Sequence, residues 1–234
     1  MELRNKQFIT TISPKILRNL DYYRNIHLGD LQDLSANNQC SMIVTSPPYV
    51  VSYEYRDIHS LSLIFLKDFF KDIPSKQNFI GSSQRKSNNQ KLCSYTGNII
   101  AESLHDNSKA LSKTVYSYFI DMQNFFHKSY DLLKNNGRMA VVIGNTALRG
   151  VEISNTQVFD EILATIGFTK HRIIKRKIPF KCLPTTRDPK TGRFVSASTS
   201  HNESYSHEYL TLIHISAPTR RYAISYAVFC LKKK

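Results

Sequence analysis

The stretch from Val115 to Gly144 constrains the fold of this chain more than any other. Val115, Phe119, Met122, Phe126, Tyr130 and Leu133 recur at the spacing of one helix face. Asn135-Asn136-Gly137 then supplies a left-handed stop. Met139-Ala140-Val141-Val142-Ile143-Gly144 comes next as a continuous apolar run, the pattern of a strand buried on both faces. A helix that feeds such a strand needs a sheet with cover on both sides, so the pattern predicts an α/β fold with a largely parallel sheet.

The rest of the chain repeats the alternation. Gln7 to Thr11 predicts a short strand, and Ser13-Pro14 opens a helix with a cap and a proline in its first turn. Asn25 to Asp30 predicts a strand ending at a carboxylate. Met42-Ile43-Val44 predicts a short buried strand that Pro47 and Pro48 end abruptly, because proline lacks an amide hydrogen and fixes its own φ. Ile58, Leu61, Phe65 and Phe69 share a helical face. Ser154 or Asn155 can cap a helix carrying Val158, Ile162, Leu163 and Ile166, closed by Gly167. His171 to Ile178 and Glu208 to Ile215 predict two strands joined by a polar loop, an antiparallel hairpin at the end of the sheet. Two polar stretches, 74–113 and 180–207, read as irregular insertions within one domain spanning 1–216. Residues 217–234 read as a basic tail.

Composition narrows the function. The chain has 234 residues and a formal net charge of +14, which points to a polyanionic partner, most simply nucleic acid. No apolar run reaches the roughly eighteen residues of a membrane-spanning helix, and the N-terminus has no signal-peptide core. Cys40, Cys93, Cys182 and Cys230 lack metal-ligand spacing and read as reduced thiols of a cytoplasmic protein. No metal is expected.

The segment Ser46-Pro47-Pro48-Tyr49 admits two readings on its own: a proline turn with Tyr49 packed locally, or a ligand site at the carboxyl end of a strand, where open α/β sheets bind ligands. Its surroundings decide between them by likeness. Thr45-Ser46-Pro47-Pro48-Tyr49 resembles the catalytic motif of amino-group DNA methyltransferases, closest to the cytosine-N4 members with Ser-Pro-Pro-Tyr. Tyr53-Glu54-Tyr55-Arg56 with Ser60-Leu61 and Phe65, and Tyr118-Phe119-Ile120-Asp121-Met122, are similar to the segments after that motif in one branch of the family. Leu132 to Gly137, Val141 to Asn145, Gly150 to Ile153 and Ile166-Gly167-Phe168 continue the likeness, which covers most of Phe8 to Ile215.

This resemblance implies a Rossmann-like class I methyltransferase sheet. It also implies S-adenosylmethionine as cofactor, transfer to the N4 amine of cytosine in double-stranded DNA, and a place in a restriction-modification system. The adenine-N6 reaction is the alternative, though its motif usually starts with Asp or Asn. An inactive DNA-binding fragment is another. Ser46, Pro47, Pro48 and Tyr49 would be catalytic. The Ser46 hydroxyl and Pro47 carbonyl can accept the two amine hydrogens, so that the nitrogen lone pair turns toward the methyl donor. Tyr49 can stack on a flipped base. No cysteine is implicated, unlike ring-carbon methylation, which needs a thiolate.

Asp30, Thr45, Thr11 and Asn145 would face the cofactor. Asp30 can instead be a loop or cap residue, and Asn145 a turn former. Arg85, Lys86, Lys181, Arg187, Lys190 and Arg193 in the two insertions are the DNA-contact candidates. His171, Arg172, Lys175, Arg176 and Lys177 read first as a solvated strand face and second as general phosphate contacts.

One family feature is missing. No Phe-x-Gly-x-Gly turn occurs; Phe79-Ile80-Gly81-Ser82-Ser83 has a single glycine. Phe8 to Pro14 resembles the family's second strand, so the first strand is expected to be absent. A partner subunit supplying the glycine turn, a truncated product, or an improvised N-terminal strand would each account for this, the first two being favoured.

Overall fold

The computed structural model describes residues 34, 40–50, 57, 59–65, 79–82, 84, 90–177, 186–188, 194–195 and 207–215. Among the described residues, four strands form the main sheet: β1 (Cys40–Thr45), β2 (Leu133–Gly144), β5 (Phe168–Lys177) and β8 (His207–Ile215), in the order β1-β2-β8-β5. β1 and β2 are parallel, and β8 is antiparallel to both of its neighbours. Three of the four strands therefore run one way. The sheet is α/β and mostly parallel in direction, and it ends in the expected antiparallel β5–β8 pair.

Between β1 and β2 lie α1 (Ser60–Phe65), α2 (Tyr95–Asn107) and α3 (Lys109–Leu132). A short hairpin, β3 (Thr146–Leu148) with β4 (Val151–Ile153), comes after β2 and leads to α4 (Asn155–Ile166). Its two-residue turn places Arg149 at φ 48° and Gly150 at φ 80°, the positive pair that suits the twist of a tight hairpin. A second ribbon pairs β6 (Thr186–Arg187) with β7 (Phe194–Val195).

The core lies between the sheet and the α3–α4 layer. Ile43, Met139, Val141, Ile143, Ile213, Ile215 and Phe168 point into it and are buried. From the helices come Tyr118, Phe119, Phe126, Phe159 and Ile162. Phe126 meets Phe159 edge to face at 5.0 Å, and Tyr130 meets Phe168 at 5.2 Å in the same geometry. α3 carries buried residues on all sides between Val115 and Leu132, which marks it as a central helix and not a surface one. α2 packs outside it, across α3 and α4.

Several expectations need correction. The stretch 74–113 is not irregular throughout: α2 occupies Tyr95–Asn107 and α3 starts at Lys109. Ser94 caps α2, its Oγ accepting the Gly97 amide hydrogen at 2.9 Å, and Ile100, Ala101 and Leu104 form the buried stripe. The helix α3 stops at Leu132, before Asn135-Asn136-Gly137, and β2 begins at Leu133. Asn136, with φ 62°, takes the left-handed position, not Gly137. Gly137 is needed for a different reason, since a Cβ there would lie 2.7 Å from the Lys134 carbonyl oxygen. The reversal makes a bulge, so that Cys40 to Met42 on β1 pairs with Leu133 to Arg138 on β2.

Cys40 is disulfide-bonded and Cys93 is free, so the four cysteines are not all reduced thiols. Spacing along the chain carries no information on distance across a fold. α1 exposes Leu61, Ile64 and Phe65, and does not bury the apolar face that its periodicity predicts. The predicted elements before residue 34, and the tail from 217, lie outside the described residues.

Candidate functional site

Ser46-Pro47-Pro48-Tyr49 leaves the sheet at the carboxyl end of β1. Thr45 pairs with Val141, so this segment departs beside Val142 to Asn145 at the carboxyl end of β2. Parallel pairing thus brings two strand exits together, as an open α/β sheet does where it binds ligands. Ser46 is exposed, Pro47 and Thr45 are buried, and Pro48 and Tyr49 are half-buried. Tyr49 packs against the core from its rim.

Each exit is held by a side chain from a helix. The Tyr118 hydroxyl of α3 donates to the Pro48 carbonyl at 2.8 Å. Asn155, at the start of α4, donates from Nδ2 to the Gly144 carbonyl at 2.8 Å. Asn145 Oδ1 accepts from the Thr156 backbone N at 3.1 Å and from Thr156 Oγ1 at 2.9 Å. The Asn145 oxygen therefore holds the first turn of α4 against the β2 exit. Asn155 Oδ1 and Thr146 Oγ1 are buried polar atoms beside this exit without a hydrogen-bond partner. Buried polar atoms are normally paired, so these are open to a polar ligand or water.

Gly81 sits against the same segment at φ 84°, and a Cβ there would lie 3.6 Å from the Tyr49 carbonyl oxygen and 3.6 Å from Tyr118 Cδ2. At the far side of the sheet, β5 carries Lys170, His171, Arg172, Lys175, Arg176 and Lys177, all exposed. Lys170 pairs with Asp160 at 2.5 Å and Arg176 pairs with Glu208. Lys175 lies 5.9 Å from the centre of the Tyr209 ring. The carboxyl end of β5 is on the same edge as Ser46, three strand spacings or about 14 Å away.

Of the other predicted site residues, Thr11, Asp30, Arg85, Lys86, Lys181, Lys190 and Arg193 lie outside the described residues. Arg187 is placed in β6 by its backbone only. Thr45 is described and buried. Sequence reasoning missed Tyr118 and Asn155 as ties to the strand exits. The available signal for Tyr118 was weak: a tyrosine in a buried stripe where phenylalanine fills the neighbouring positions.

Two titrating groups behave unusually away from this edge. Burial raises the Glu161 carboxyl, but hydrogen bonds from Thr96, Ser94 and Gln157 outweigh it and hold the group below its ordinary value. Thr96 donates from its backbone at 2.9 Å and from its hydroxyl at 2.5 Å, and the Ser94 hydroxyl donates at 2.7 Å. Burial pushes the Cys93 thiol up, which disfavours its thiolate. Among the described residues no group of His, Cys, Asp and Glu could hold a metal ion. No described helix is long and apolar enough to cross a membrane.

No protein-family model and no curated protein matches the chain. Among solved structures, the chain is similar to a candidate DNA modification methylase from Thermus thermophilus. One crystal structure of that protein aligns with 84% of this chain and 56% of its own, at 15% identity and a TM-score of 0.36. Another, complexed with S-adenosyl-L-methionine, aligns with 47% of this chain and 42% of its own, at 16% identity and a TM-score of 0.30. The chain spans just over half the length of that protein. Superpositions of this extent do not define a common fold, and the geometry of the two strand exits stands apart from them.

Proposed function

We propose that this chain is a DNA methyltransferase that moves the methyl group of S-adenosylmethionine to the N4 amine of cytosine, as part of a restriction-modification system. The observation that carries the reading is the placement of Ser46-Pro47-Pro48-Tyr49 at the carboxyl end of a strand beside a parallel neighbour. An exposed hydroxyl, a stiffened backbone and an aromatic ring then stand together at a ligand edge.

In this reading the bound cofactor supplies an electrophilic methyl carbon. The chain's own residues do the rest. Ser46 Oγ and the Pro47 carbonyl accept the amine hydrogens and hold the nitrogen in line, which removes orientational entropy from the barrier. Tyr49 stacks on the extruded base. The described residues fit this amine-holding half. The cofactor half draws on Asp30 and Thr11, with Thr45 beside the motif, and a partner subunit is the proposed source of a glycine-rich turn. Neither Cys40, in a disulfide, nor Cys93, with its thiol pushed up, suits attack on a ring carbon. Arg172, Lys175 and Lys177 of β5 would join Arg85, Lys86, Lys181, Arg187, Lys190 and Arg193 in neutralising phosphates.

The test is methyl transfer from labelled S-adenosylmethionine to duplex DNA, with the product digested to nucleosides. N4-methylcytosine is expected, from the chain alone or supplemented with host extract, and Ser46→Ala should lose at least about tenfold in rate. N6-methyladenine as sole product would replace the cytosine reading, and no transfer together with no cofactor binding would leave a DNA-binding fragment. Alanine at Arg172, Lys175 and Lys177 together should lower the slope of log K against log salt by about two to three, at about 0.9 per phosphate contact.

A further inference from the structure

We infer that Tyr118 is a positioning residue for methyl transfer, fixing the one backbone torsion of the Pro47-Pro48 pair that the prolines themselves leave soft. The inference rests on the proposed reaction for its catalytic half and on the fold alone for its structural half. Pro47 and Pro48 lock their own φ near −65°. The residue preceding a proline is restricted as well, which confines ψ of Ser46 and ψ of Pro47. ψ of Pro48 has no such restraint. It is this torsion that orients the Pro48–Tyr49 peptide, and the carbonyl of that peptide is what the Tyr118 hydroxyl holds at 2.8 Å.

The anchor is rigid. Tyr118 is 1% exposed, and its ring lies 5.5 Å from Phe119 and 6.4 Å from Phe159. It belongs to a helix buried on all sides, 70 residues further along the chain. Elsewhere in that helix Phe119, Phe125 and Phe126 fill similar volume with no hydroxyl. Gly81 lies beside Tyr118 and the Tyr49 carbonyl, close enough that a Cβ there would sit 3.6 Å from each. Holding the Pro48 carbonyl inward has two effects. It aims the Tyr49 ring, and it keeps this carbonyl from competing with that of Pro47 for the amine hydrogens.

The variant Tyr118→Phe removes the hydroxyl and keeps the ring. Expected is a tenfold or greater fall in kcat, with KM for DNA within twofold of wild type. Hydrogen exchange in the peptide containing Ser46 to Val50 should speed up at least fivefold. Phe125→Leu is the control, a buried change in the same helix whose ring packs on Phe126 and not on Tyr118; it should lower Tm while leaving exchange in that peptide and kcat near wild type. Unchanged kcat or unchanged exchange in Tyr118→Phe overturns the inference, as does an equal loss in Phe125→Leu. A wild-type chain that transfers no methyl group refutes the reaction, and the exchange comparison still decides whether Tyr118 fixes the torsion.

Discussion

The two faces of the main sheet differ sharply in cover. On one face, Ile43, Met139, Val141, Ile143, Ile213 and Ile215 are buried beneath α3 and α4. On the other, Met42, Val142, Ile174, Leu210 and Leu212 are only half-buried, Val44 is 42% exposed, and only Ala140 among the apolar residues is buried. Arg138, Arg172 and the Arg176–Glu208 ion pair stand around this second face, so its apolar centre has a charged rim. The sequence of β2 does not show the difference, because Met139 to Ile143 is apolar at every position. Apolar character permits burial on both faces; the helices available decide which face obtains it.

The largest expected effect tests the covered face. Ile213→Ala should cost about 2–5 kcal/mol in urea unfolding, through lost transfer energy and a cavity. Leu212→Ala, the next residue and the opposite face, should cost about 1 kcal/mol or less. Equal losses at the two positions would abolish the contrast. A third test concerns the outer layer over the covered face, where Glu161 of α4 binds Ser94 and Thr96 at the start of α2. The folded Glu161 carboxyl lies below its unfolded value, so its stabilisation is present above the unfolded value near 4.5 and is lost as pH falls through the folded one. His127 is also lowered, by burial against the opposing pull of Asp131, so acid costs stability there from about pH 6.5 downward. Glu161→Gln should flatten the stability profile below pH 5 and leave the decline near pH 6 in place. The smallest effect is on the open face, where Val44→Thr should change stability by no more than about 0.5 kcal/mol.

What could be read in advance was local. Helical periodicity, the Gly167 stop and the continuous run in β2 each act within a few residues, and each corresponds to an element. Gly167 takes φ 112° as the cap of α4, as its position implied. What escaped depends on distant partners. α2 has few apolar residues, and part of its hold on the fold is Glu161, 65 residues from Thr96. The exposure of Leu61 and Phe65 in α1 shows the converse, since periodicity identifies a helix face but not whether anything covers it. At the strand exits, Ser46 to Tyr49 was legible as a motif and as a strand end. The ties from Tyr118 and Asn155 were not, because nothing in a tyrosine or an asparagine specifies which carbonyl it will reach.

The position of β8 has a consequence for how the protein is made. This strand is the last described element of the chain, yet it lies in the interior of the sheet between β2 and β5. Before residues 207–215 leave the ribosome, β2 and β5 have no strand to join them, and both keep open backbone edges. The helical layer can form early from contacts among neighbouring segments, whereas the sheet closes last, by insertion. A nascent chain stopped ahead of residue 207 would therefore carry the motif and its tyrosine tether on an unfinished sheet, exposed to pairing with other chains.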